Sequence, residues 1–137
     1  MKYLLSLIVF FAGTAQAADG DNSLRTVMQN LSMQMQRGTD AISREDWPAI
    51  ELIAAKIAQH PSPPAVEKMR ILRTLGSDAS RFRELDHQTH AAAELLAESA
   101  KKGDGAAVIS AYARVQSTCM SCHQSFRTRI RTALATQ

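Results

Sequence analysis

The sequence predicts an all-α protein, an antiparallel up-and-down four-helix bundle, and three observations carry that reading. Apolar residues recur at three- and four-residue spacing through most of the chain. No segment shows strand alternation bounded by turns. The breaks between periodic stretches are short and built from Pro, Gly and Asp, which suits neighbouring helices that run in opposite directions.

The first helix is expected over residues 22–43, with Leu24, Val27, Met28, Leu31 and Met35 on one stripe. A second starts where Asp46 can cap and Pro48, one or two residues inside, loses no hydrogen bond for want of an N–H. Its stripe is Ile50, Ile53, Ala54 and Ile57, and His60-Pro61-Ser62-Pro63-Pro64 ends it. A short helical segment from Pro64 to Leu75 carries Val66, Met69, Ile71 and Leu72. Gly76 stops it, and Ser77-Asp78 is read as a fresh N-cap. The third long helix passes through Phe82, Leu85, Leu95 and Leu96 to Lys102, and Gly103-Asp104-Gly105 is the sharpest turn signal in the chain. The last helix carries Val108, Tyr112, Val115, Cys119, Cys122, Phe126 and Ile130 along one face.

Ahead of these helices stands a tripartite export signal. Met1-Lys2 is positive, the run from Leu4 to Ala12 is interrupted only by Ser6, and Ala15-Gln16-Ala17 is a small-x-small cleavage site. The apolar stretch is too short to span a bilayer, and no lipobox cysteine follows it. Residues 1–17 are therefore expected to be a cleaved signal peptide and 18–137 a single domain of roughly 120 residues. The expected location is the periplasm, and the expected protein is not membrane-embedded. Hydrophobic residues make up 45% and charged residues 21%, as in an ordinary globular domain. Loss of Lys2 lowers the formal charge from +3 to +2, too little to point to a nucleic-acid partner. Aromatic residues reach only 5%, thin for a core of this size, and a flat aromatic cofactor would make up the difference.

Chemistry concentrates in one five-residue window. The two cysteines, Cys119 and Cys122, are followed directly by His123. A disulfide between them would close a very small loop and constrain little of the unfolded chain. The C-x-x-C-H spacing is the signature of covalent haem attachment. Residues three apart share a helix face, so both thiols can reach one porphyrin edge and form thioethers with its vinyl groups. His123 then presents a ring nitrogen as the proximal iron ligand. Competing readings are weaker. A thioredoxin-like motif needs a βαβ context that is absent, and a zinc site lacks a fourth ligand at a familiar spacing.

The window continues as Cys119-Met120-Ser121-Cys122-His123-Gln124-Ser125-Phe126-Arg127 near the C-terminus of an exported helical chain. In this it resembles the cytochrome c′ family, the class II c-type cytochromes, and the resemblance extends over the mature chain in helix order and length. It implies one covalent haem c in a four-helix bundle, with Arg127 close to the proximal histidine and the haem edge. Arg127 reads equally well as part of a solvated Arg127/Arg129/Arg131 run.

The resemblance also implies that the distal position decides function. An apolar distal residue gives a five-coordinate iron that binds small gases such as NO and CO, whereas a methionine gives a low-spin electron carrier with a raised potential. The bundle topology directs attention to the first half of helix one, which holds Met28, Met33 and Met35. Met33 lies about 140° around the helix from Met28. Family position favours Met28 as the second axial ligand, and Arg25, one turn earlier, resembles the arginine that relatives direct toward a propionate. Tyr112, two turns before Cys119, and Phe126 are further haem-pocket candidates.

The other polar residues carry less. His87 and His90 with Asp86 are a candidate metal pair. His60 is explained by a favourable helix-end dipole, and Trp47 by core packing. Nothing resembles a catalytic acid–base pair, so an enzyme is not expected. The sequence points to a periplasmic monohaem electron carrier serving redox partner proteins, with homodimerisation through the first two helices as the resemblance implies. The alternative is a five-coordinate gas binder.

Overall fold

The computed structural model describes residues 22–135, so the export segment predicted over 1–17 lies outside the described residues. Five α-helices are found among them: α1 (Leu24–Ser43), α2 (Trp47–Ala58), α3 (Ala65–Leu75), α4 (Ala79–Lys101) and α5 (Gly105–Ala135). Helices α1, α2, α4 and α5 form the antiparallel bundle. The short α3 packs on α5 at one end, and a single 3₁₀ turn, Gly76–Asp78, joins it to α4.

The helix starts are chemically marked. The Ser23 hydroxyl accepts from the Thr26 N–H at 3.3 Å, Asp46 from the Ala49 N–H at 3.1 Å, and Asp104 from the Ala107 N–H at 3.0 Å. Each satisfies a donor that the first helical turn leaves unpaired. Gly76 and Gly103 take φ of +55° and +66°, left-handed conformations that favour glycine. One expected cap is different. Asp78 precedes α4 but makes no capping bond; its carboxylate instead accepts from Arg129 of α5 at 2.6 Å. The same guanidinium donates to the carbonyls of Thr74 and Leu75 at 3.2 and 3.3 Å, closing the C-terminus of α3. A charged donor that can serve three acceptors outcompetes one backbone N–H. Arg129 is thus a clamp rather than one of a solvated run.

The Trp47 ring lies against Gly103 and Gly105, so the α1–α2 and α4–α5 turns share one end of the bundle. The opposite end gathers the start of α1, the end of α2, α3, the start of α4 and the C-terminal half of α5. Two cores follow this division. The larger contains Ile50, Ile53, Ile57, Leu96, Val108, Tyr112 and Val115. The smaller contains Ile71, Leu75, Phe126 and Ile130, with Leu24, Phe82, Leu85 and Leu134 packed around it. Phe82 and Phe126 meet edge to face, with centroids 5.6 Å apart.

One close approach fixes α1 against α5. Gly38 is buried beneath the Tyr112 ring, and a Cβ there would stand 2.8 Å from Cε2 of Tyr112. The phenol is held in place: its hydroxyl donates to the Met35 carbonyl and pairs with the Thr39 hydroxyl at 2.9 Å.

Gly38→Ala should therefore destabilise the fold. Helix propensity alone would favour alanine by about 1 kcal/mol. Overpacking against a pinned ring costs about 1–3 kcal/mol, giving an expected net loss of about 1 kcal/mol. Urea unfolding measures it, and a Tyr112→Leu background, which removes the obstructing ring, should turn Gly38→Ala into a neutral or stabilising change.

Candidate functional site

The C-x-x-C-H window lies in the middle of the 31-residue helix α5, where the two cores meet. Cys119 packs against the larger core and Cys122 against the smaller. Both are free and half-buried thiols. Burial pushes the Cys119 pKa up. Burial, followed by the Asp86 carboxylate and Cys119, pushes Cys122 up to about 11. At neutral pH both are protonated S–H groups held on one helix face. His123 is largely exposed, yet enough protein surrounds its ring that desolvation, with the Arg127 guanidinium adding, holds its pKa below the usual value. A neutral imidazole keeps a lone pair for a metal.

The Tyr112–α1 contact sets the register between the two helices. Because α1 and α5 are antiparallel, each step toward the end of α5 matches a step toward the start of α1. The Tyr112 side chain spans one turn of α1, from Met35 to Thr39. Cys119, seven residues on, therefore falls opposite the α1 turn that begins at Met28, about 10.5 Å along the helix axis from that contact. Seven residues also return to within about 20° of the starting direction, so Met28 shares a side of α1 with Met35, while buried Val27 and Gly38 mark the side turned to the core. Met33 lies about 160° away from Met35 and is exposed. His123 falls level with Leu24, the first residue of α1, whose N–H donates to Glu67 of α3 at 3.0 Å.

Away from Tyr112, α1 and α5 pack only sparingly. Met28 is 36% exposed, directly beside buried Val27. The features that bear on a haem are two neutral thiols three residues apart, a neutral imidazole next to them, an apolar wall of Leu24, Phe82, Leu85 and Phe126, and a loosely packed flank carrying Met28. These residues fit a flat, largely apolar ring attached through two thioethers.

The structure brings Cys119, Cys122, His123, Phe126 and Arg127 onto neighbouring turns of α5, with Met28 exposed on α1. Arg25 is exposed one turn before Met28. Tyr112 is buried two turns from the motif, where its hydroxyl serves α1. The Gly38 contact was missed by sequence reasoning. The signal for it was a glycine inside an otherwise unbroken helical pattern.

A second cluster corrects the histidine assignments. His87 is exposed and takes no part in it. His60 and His90 stack with centroids 4.5 Å apart, and their Nε2 atoms face the two oxygens of Asp86 at 3.6 and 3.5 Å. The i,i+4 spacing puts Asp86 and His90 on one face of α4, whereas His87, the residue after Asp86, lies about 100° around the helix from it. His60 is more than a helix-end charge, because the antiparallel packing of α2 on α4 brings the end of α2 to this level. The Asp86 carboxylate holds the His60 pKa above 6.5, and His60 holds Asp86 below 3.8.

His60 stabilises the fold fully below its unfolded value and loses that contribution as pH rises through the raised value. Asp86 contributes fully above its unfolded value and loses that contribution as pH falls through the lowered one. The pair is strongest between about pH 4 and 6.5. Asp86 is 48% exposed, so the effect stays below about 1 kcal/mol. In chelator-containing buffer, the melting-temperature difference between wild type and Asp86→Asn should be greatest in that window and shrink above it.

The family model described as Cytochrome C′ matches residues 22–127, from the approach to α1 through Arg127. No curated protein and no solved structure matches the chain. The match covers most of the sequence and contains both the α1 flank and the complete C-x-x-C-H window. The chain belongs to the cytochrome c′ family.

Proposed function

We propose that this protein is a monohaem c-type cytochrome that transfers electrons, with the haem attached through Cys119 and Cys122, His123 as proximal ligand and Met28 as distal ligand. Membership of the family implies haem c. The observation that supports the finer reading is the register: counted from the Tyr112 contact, the α1 turn that begins at Met28 falls opposite Cys119, one turn from the level of His123. Bound haem would supply an iron that alternates between two oxidation states.

The chain's own part is to hold that iron and its surroundings nearly unchanged. His123 offers a neutral imidazole, and a thioether from Met28 favours the reduced state. Phe126 and Phe82 keep water from the apolar wall. Arg25 and Arg127 offer guanidinium groups for carboxylates at the ring edge, a role Arg fills better than Lys through its paired donors. No substrate is turned over on this reading. The partners are redox proteins, met in the periplasm after export. Among the described residues, no helix is long and apolar enough to cross a membrane.

A visible spectrum of the reduced protein, with and without carbon monoxide, tests the proposal. A six-coordinate site gives low-spin bands that ignore the gas. Met28→Ala should convert them to a high-spin spectrum that responds to carbon monoxide, while Met33→Ala leaves them unchanged. A wild-type spectrum that is already high-spin and gas-sensitive overturns the electron-carrier reading in favour of gas binding.

A further inference from the structure

We propose that His60, Asp86 and His90 form a binding site for one divalent transition-metal cation, separate from the haem ligands. One ligand atom from each residue lies within 4.8 Å of the others. The Nε2–carboxylate separations of 3.6 and 3.5 Å are close to the ligand–ligand spacing of about 3.4 Å that tetrahedral zinc bonds require.

The tautomers lead to the same place. Nδ1 of His90 contacts the Ala58 carbonyl, and Nδ1 of His60 contacts the Pro61 carbonyl at 3.3 Å. A carbonyl oxygen only accepts, so each Nδ1 carries the hydrogen of its contact and each Nε2 is the ring nitrogen left facing Asp86. A carboxylate has no proton to give at neutral pH, so Asp86 adds only lone pairs. With the imidazoles neutral, as metal ligation requires, three lone-pair atoms converge on one point. Protonating both rings would stack two cations 4.5 Å apart over a single carboxylate. One divalent cation satisfies all three at once. A ligand imidazole whose other nitrogen is tied to a backbone carbonyl is also the usual outer-shell arrangement of metal sites.

The supports are firm and the centre is accessible. Asp86 and His90 occupy i and i+4 of α4, a spacing that places two ligands on one helix face. His60 is fixed where α2 ends and Pro61 begins. Side-chain exposures of 13%, 29% and 48% for His60, His90 and Asp86 let a cation and a completing water enter. Two imidazoles and one carboxylate suit zinc or copper rather than magnesium or calcium. This site does not depend on the haem reading.

Calorimetric titration of the chelator-treated mature protein with zinc chloride at pH 7.5 provides the test, with copper(II) as a second probe. One zinc per chain is expected. His60→Gln and His90→Gln should each weaken binding by about tenfold or more, Asp86→Asn should weaken it without removing an imidazole, and His87→Gln should leave it unchanged. In wild type, zinc should shift the ring resonances of His60 and His90 and not those of His87, a readout that does not depend on any variant folding. The proposal is overturned by absent saturable binding, by binding that survives both histidine substitutions, or by loss that appears equally in His87→Gln.

Discussion

The arrangement of this bundle depends on one contact, the Tyr112 side chain of α5 seated on Gly38 and bonded to the Met35 carbonyl of α1. Glycine admits the ring, the hydroxyl fixes its height, and the two helices can slide no further. Elsewhere they pack little. Without this strut, the level of α1 against α5 would rest on its packing against α2 and on Leu24 at its first turn.

The two ends of the molecule divide the remaining work. The larger core, with Ile50, Ile57, Leu96, Val108 and Val115 almost wholly buried, makes the closed end rigid. At the other end a smaller core, the crossing helix α3 and the Arg129 clamp hold the C-terminal half of α5 in place. The cysteines stand at the junction. Cofactor sites in bundles arise between facing helices. Here the loosely packed side is bounded by one apolar wall and one exposed methionine flank. The histidine–aspartate cluster uses the same end but different helices, α2 and α4.

Much of this was legible in the sequence because it rests on local periodicity. The stripe Ile50, Ile53, Ala54 and Ile57 is buried as expected, and α2 starts on an Asp46 cap with Pro48 in its first turn. The C-x-x-C-H motif identified the window by itself, since its spacing carries the chemistry. What was not legible depends on how elements meet. Helix ends uncertain by a few residues left Met28, Met33 and Met35 at indistinguishable levels, and only a tertiary contact such as Tyr112 to Met35 separates them. His60 and Asp86 are 26 residues apart in sequence, so their pairing follows from the packing of α2 on α4. Asp78 had the residue type of a cap, yet a guanidinium from a distant helix captured its carboxylate.

The central proposal is that Met28, and no other methionine, is the second axial ligand. Proton–carbon NMR of the reduced holoprotein, labelled at its methionine methyl groups, tests this most directly. The account predicts a single methyl resonance displaced far from the rest by the porphyrin ring current, assigned to Met28 by its loss in Met28→Leu. A displaced methyl belonging to Met33 or Met35, or no displaced methyl at all, would contradict it.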